Sequence, residues 1–397
     1  MRVSHLMTAR RWVFVTCLAI VVAFLAYRML RPMNIFVVDE AFARPIPVTE
    51  PPVGLQSLSA AECGRCHSEI YDEWSGSMHA QAWTDPYYQV DFEFDRSQQI
   101  CHNCHTPLQN QQANLVLGFR DTAYRDPILA PNDGFDPALQ AEGVTCAVCH
   151  VQDGVILGPY GDTSAPHATR RDPKMTDGFS VCERCHVVSG SRWDTFYRIP
   201  PCGTVAEIHE GDASSPDCTG CHMPEVTRPV ANAAAARRGG RHLWRGGHDP
   251  DVVRPALAMD LDVQVISPGD GNSRQATVTL TNVGADHYLP TGVPDRHLTL
   301  DFTLTSADGT VLESKRHSLK RTIMWRPFIV DLWDTRLPAG VSQVYEFEFR
   351  TDLSPSPAAL EVVVRYHLLD EARRARIGYE NREPISYVVH EQRIPVS

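Results

Sequence analysis

Residues 63–80 read CGRCHSEIYDEWSGSMHA: two cysteines three apart, a histidine directly behind the second, and another histidine twelve residues on. Zinc ribbons, thioredoxin-like redox pairs and haem attachment sites all begin with such a pair. The residue after the second cysteine, and the recurrence of the whole pattern, separate them. It recurs at Cys101/Cys104/His105, Cys146/Cys149/His150, Cys182/Cys185/His186 and Cys218/Cys221/His222, so Cys63/Cys66/His67 is the first of five. With 17 histidines in 397 residues, chance would place all five about once in ten million. Zinc and dithiol chemistry do not require that histidine. Haem attachment does, because the two thiols share one helical face and can form thioethers to one porphyrin while the following imidazole turns to the iron. The sequence therefore predicts five covalently attached haem c groups, with His67, His105, His150, His186 and His222 as proximal iron ligands.

The chain carries 48 acidic against 37 basic residues, a formal charge of −11, and no basic patch that would suit a nucleic-acid partner. From Trp12 to Tyr27 it is uncharged, with Arg2, Arg10 and Arg11 ahead of the run. Met29, Leu30 and a snorkelling Arg28 extend this to a membrane-crossing length, and the basic flank belongs in the cytoplasm. A cleaved signal peptide is the rival, since Ala41–Phe42–Ala43 resembles a processing site; it sits well past the apolar run, so an uncleaved anchor is expected. Cys17 lacks the context of a lipidation site, and Cys202 reads as a free or buried thiol.

The expected organisation is a cytoplasmic flank over 1–11, a transmembrane anchor over 12–30, a proline-rich stalk over 31–54, a mostly helical and irregular pentahaem cytochrome c domain over 55–254, and an all-β domain over 255–397. In the fourth segment, proline-, glycine- and aspartate-rich connections leave little for an ordinary core, and porphyrins supply the missing apolar mass. In the last, stretches such as RQATVTLTNV and ALEVVVRYHLL alternate apolar and polar residues, and ADG after LDFTLTS signals a hairpin. Six or seven such strands suggest an immunoglobulin-like sandwich.

Each iron has a second axial position. A continuous helix from the first motif would carry His79 about 18 Å beyond His67, too far to face the same iron, so His79 is expected to reach another haem. The motif followed by YDEW and SGSMHA, with EGVTCAVCH, GPYGDTSAPH, CTGCHMP and RHLWRGGHD, resembles the multihaem cytochromes related to hydroxylamine oxidoreductase and its tetrahaem electron acceptor, over roughly residues 60–250. That resemblance implies distal ligation by His79, His167, His242 and His248. NVGADHYLPTGVPDRHL is similar to a segment in the β-domains of some membrane-associated multihaem cytochromes, which makes His287 the fifth candidate and His209 its reserve. Gly246 and Gly247 let His242 and His248 diverge. His102 is expected at solvent or a propionate; His297, His317, His367 and His390 sit in strand-like segments. Arg237, Arg238, Arg241 and Arg245 are candidate propionate partners, and Met223 a packing residue.

The functional expectation is a single-pass protein of the bacterial inner membrane, its main domains periplasmic, carrying electrons through closely packed bis-histidine haems to redox protein partners in the periplasm or membrane, with a quinol or a terminal reductase or oxidase as a further candidate. The alternative is a multihaem oxidoreductase with one five-coordinate haem acting on a small nitrogen or sulfur compound; no catalytic side chain is identifiable.

Overall fold

The computed structural model describes residues 2–30, 40–121, 124, 126–161, 164–186, 195–196, 203–204, 207–208, 217–266 and 271–396. Cys202, His209 and the stalk over 31–39 lie outside them.

Helix α1 (Arg2–Leu30) contains a 20-residue apolar stretch, Arg10–Met29, of mean hydropathy 2.0, with none of it buried by the rest of the chain. By length and composition it could cross a membrane or serve as a signal sequence.

Between residues 40 and 256 the helices are short, and each motif begins on one: α2 (Ala60–Gly64), α5 (Gln99–His105), α6 (Cys146–His150), α7 (Ser180–His186) and α8 (Cys218–His222). Between the first two come α3 (Ser68–Ser75) and α4 (Pro86–Phe94). Local chemistry starts several of these. Ser59 accepts from Ala61 N–H at the head of α2, Asp85 from Tyr88 N–H at α4, and Asp217 from Gly220 N–H at α8; such caps satisfy amides that the first turn leaves open. The helix expected to continue from Cys63 through His79 instead breaks after Gly64, because the His67 backbone leaves helical geometry (φ −101°, ψ 50°) before α3 begins. The segment is also less purely helical than expected. Asn114–Phe119 pairs with Pro127–Pro131, and Glu225–Pro229 with Ala236–Gly240, in antiparallel hairpins.

The C-terminal region is strand-rich. Strands β1 (Leu257–Val265), β2 (Ser273–Asn282), β3 (His297–Ser306), β4 (Val311–Leu319), β5 (Arg321–Met324), β6 (Ile329–Asp334), β7 (Ser342–Arg350), β8 (Pro357–His367) and β9 (Ser386–Pro395) form three sheets. Their orders are β7-β2-β1, β4-β3-β8-β9, and β5-β6 extended by Thr195–Phe196. The first two are antiparallel throughout and share one core. Alternate residues of β2, β3 and β8 are buried, including Val278, Leu280, Leu300, Phe302, Leu304, Val362 and Val364, which is the period-2 pattern of a sheet with one dry face. The ADG turn joins β3 to β4 with Gly309 at φ +86°. The β5–β6 hairpin has no signal in the alternation, since its strands are short and Pro327 lies in the turn between them. The expected boundary at 254 falls inside the helix Pro250–Ala256, whose Val253 is buried in the C-terminal core.

Candidate haem-binding cavity

One cavity of about 2190 Å³ occupies the place where residues 55–254 would otherwise have a core, and all ten motif cysteines and all five motif histidines line it. So do His79, His167, His242, His248 and His287.

Within it the imidazoles stand in pairs. Ring centres are 6.4 Å apart for His67 and His167, 6.1 Å for His150 and His242, 6.3 Å for His186 and His79, and 6.3 Å for His222 and His287. With metal–nitrogen distances of about 2.0–2.1 Å on either side, two imidazoles on one axis stand roughly 6–6.5 Å centre to centre. These gaps are too wide for ring contact and fit one iron each.

Backbone carbonyls orient the rings. Nδ1 of His67 donates to Val230 O (2.5 Å), His105 to Ala82 O (2.6 Å), His150 to Leu157 O (2.8 Å) and His222 to Arg245 O (2.6 Å). His242 donates to Gly240 O (3.1 Å) and His287 to Tyr288 O (2.9 Å). A carbonyl can only accept, so each Nδ1 keeps its proton and each Nε2 presents its lone pair to a metal. Burial pulls the pKa of His79 down to about 3 and of His242 to about 4, and lowers those of His105, His150, His186, His167 and His287. These rings are neutral, as ligands must be. The donor set fits haem. A shared zinc site is less suited: among the described residues, no group of three or more His, Cys, Asp or Glu converges to hold a metal ion.

The second motif differs. No second imidazole stands across from His105 at comparable range among the described residues; the Tyr88 ring lies flat on its face (3.7 Å, 7°). The Tyr88 hydroxyl is buried without a hydrogen-bond partner. His248, expected as a distal ligand, stands with Nε2 3.2 Å from the Arg296 guanidinium. The cause is local: the Arg245–Gly246–Gly247 turn packs on the C-terminal region, where a Cβ on Gly247 would come 2.5 Å from the Tyr366 hydroxyl and where Tyr387 O–H donates to Gly247 O. His102 departs from its expected exposure. It stacks on Trp83, meets Phe92 edge-on and bonds Thr106 Oγ1, and burial lowers its pKa to about 4.

The motifs also touch one another. Helix α2 packs on α6 and α5 on α7, Thr219 N–H of the fifth motif donates to Gly178 O just ahead of the fourth (3.1 Å), and burial, then the neighbouring Cys185, raises the Cys149 thiol. The fourth motif thus neighbours the second, third and fifth.

Several positioning residues carried no sequence signal. Glu73 of α3 accepts both guanidinium arms of Arg228 at 2.7 Å and the His242 N–H at 2.9 Å; burial opposes ionisation, yet these donors and Arg241 hold its carboxyl below the usual range. A Cβ on Gly143, at φ +61°, would strike the His79 carbonyl at 2.6 Å, so only glycine allows that approach. Glu207, fully buried, accepts from Arg336 (2.6 Å), Thr291 O–H (2.6 Å) and Tyr288 N–H (3.2 Å), and the same guanidinium covers the Tyr288 ring. This knot fixes the loop that carries His287. The four candidate propionate arginines already have partners: Arg237 lies over Tyr160, Arg238 pairs with Glu225, Arg241 with Glu73 and Arg245 with Asp249. Met223 packs near Gly240.

Comparison with known proteins agrees with this chemistry. Residues 62–151 match the family described as cytochrome c554 and c-prime. The fold is similar to that of a penta-heme cytochrome c552 from Thermochromatium tepidum, with a TM-score of 0.65 and 19% identity over 85% of this chain and 98% of that one. A β-glucuronidase from Bacteroides uniformis aligns with 36% of this chain and 13% of its own at 12% identity, but its TM-score of 0.18 carries no weight. No curated protein matches in sequence. Motifs, matched family and fold define the class: a multihaem c-type cytochrome with covalently bound haem c.

Proposed function

We propose that this chain is a membrane-anchored, periplasmic pentahaem electron carrier. The observation that carries the reading is the set of four imidazole pairs 6.1–6.4 Å apart around one cavity lined by all ten motif cysteines. In it, Cys63 with Cys66, Cys101 with Cys104, Cys146 with Cys149, Cys182 with Cys185 and Cys218 with Cys221 each hold one haem. His67 with His167, His150 with His242, His186 with His79, and His222 with His287 would each hold one iron, and His105 would hold the iron at the second site. Haem iron so ligated supplies reversible one-electron transfer, at a potential set by ligands, hydrogen bonds and burial. The protein's part is to keep the imidazoles neutral and oriented and to hold the motifs in contact. Because the fourth motif packs on the second, bonds to the fifth through Gly178 O and neighbours the third at Cys149, the route is branched, with that site at the fork.

Anchoring is supported by the apolar helix and by the segment behind the suspected processing site. Ala43 is buried, Phe42 O accepts from Asn103 and Arg44 O from Arg184, so residues 42–44 belong to the folded domain. The seven strands that share the C-terminal core are read as an immunoglobulin-like sandwich.

Among the described residues no imidazole stands across from His105, which favours a second reading, in which the second haem is five-coordinate and binds a small nitrogen or sulfur compound. Electron paramagnetic resonance of the oxidised protein decides: four low-spin signals with one high-spin signal fit both the pairs and this site, whereas two or more high-spin signals in native protein would refute the pairing. The intact mass should show five haem additions.

A further inference from the structure

We infer that the tip of the β5–β6 hairpin, residues 325–328, is a lipid-binding element that seats in the interfacial layer of the membrane crossed by α1. This rests on the reading of α1 as a retained anchor. The hairpin meets the helix at its exit end. Arg28 Nε donates to Pro327 O (2.9 Å), Arg326 donates to Met29 O (3.0 Å), and Arg28 lies over the Phe328 ring (5.6 Å). Phe328 also packs against Phe24, ring centres 6.2 Å apart.

That last contact sets a depth. Phe24 is six residues before Leu30, so along the helix Phe328 reaches about 9 Å below the level at which α1 ends, within the roughly 5–10 Å by which interfacial elements enter the headgroup and acyl boundary. The chemistry of the tip matches that layer: Trp325 and Phe328 are aromatics of the kind enriched at membrane interfaces, and Arg28 and Arg326 are long cations that hold apolar stems in lipid with their charge at the headgroups. Arg326 also covers a carbonyl at the end of α1, where a cation is favoured. Anionic headgroups would complement both charges.

The arm behind the tip is equally unlike a soluble surface. Thr322 pairs with Trp333 and Ile323 with Asp331, which leaves Leu332 as a bulge residue, and Leu332 and Trp333 are exposed. The same arm leads through Asp334 to Arg336, the residue that fixes the His287 loop.

The test uses the full haem-loaded chain in vesicles of phosphatidylethanolamine and phosphatidylglycerol doped with a phospholipid whose acyl chain bears a diazirine near its ester end. After irradiation, labelled peptides are mapped by mass spectrometry. Labelling of both α1 and the peptide holding residues 325–328, several-fold above that of the exposed 306–310 turn, is expected. Phe328→Glu and Trp325→Glu should each lose the hairpin label while keeping the α1 label and the haem absorption spectrum. Label on α1 alone overturns the inference and leaves the anchor standing; label on neither overturns both.

Discussion

The two halves of this chain are held together by different material. Nineteen buried residues form the C-terminal core, among them Leu298, Leu300, Phe302, Leu304 and Leu360, all fully buried. The comparable cluster among the described residues of the cytochrome half has five: Leu58, Leu108, Leu139, Ala147 and Val151. Where the second half has side chains, the first has a cavity edged by thiols and imidazoles. Hydrophobic burial drives folding wherever the apolar surface comes from, and in the first half it comes with the cofactor.

The most drastic way to break that comparison is to withhold haem. A chain produced without haem attachment should lose protection over residues 55–254 in hydrogen exchange and limited proteolysis, while β1–β9 keep theirs; equal protection in both halves would show that the cytochrome half folds unaided. Next is the knot between halves. Arg336→Ala strands the Glu207 carboxylate, whose pKa burial already raises despite the guanidinium, and removing one partner of a buried pair typically costs about 3–5 kcal/mol. Urea unfolding should show a loss of that order, and weakening of one low-spin signal should accompany it if the knot holds the His287 loop. His287→Ala touches only the site: one low-spin signal should become high-spin, carbon monoxide should bind the reduced protein at an additional site, and the stability of the strands should stay within about 1 kcal/mol, the cost being local.

The smallest effect is one of pH, confined to the C-terminal half. His297 and His367 face each other across β3 and β8, stacked 4.2 Å apart. Burial, then the neighbouring ring, lowers His367 to about 4, and burial lowers His297 as well. A histidine depressed on folding contributes stability that is present above its ordinary pKa near 6.5 and lost as pH falls through the folded value. Melting of the β-half should therefore drop between pH 6.5 and 4, modestly because both rings are partly exposed, and His367→Gln should flatten the drop.

What could be read in advance divides along the same line. The motifs announce the cofactor because thioether and imidazole chemistry dictates both residue types and spacing, and the strands announce themselves by period. Second ligands are a matter of tertiary contact. His79 was expected at another haem from helix rise, a premise the break after Gly64 removes, and then from a resemblance; His167 and His242 were named from the resemblance, and His287 from a resemblance with loop placement in support; each now lies across from a motif histidine. His248 was named on the same grounds and stands on Arg296, because tyrosines of β8 and β9 capture the glycine turn before it. Glu73, Gly143, Glu207 and Arg336 were invisible, since nothing in a lone carboxylate or glycine says which backbone it will hold.

The distances between paired histidines along the chain impose an order in time. A chain that emerges N-terminus first presents His67 long before His167, His150 long before His242, and His222 before His287; at the fourth motif alone does the partner, His79, come out ahead of its mate. With the proposed pairing, a newly loaded fourth site can close at once, while the first, third and fifth stay open until later segments arrive, the fifth until β1 and β2 have been made and the loop before β3 brings His287. Assembly would then run outward from the fork of the branched route, with the β-half arriving as the last piece and sealing the site its own loop completes.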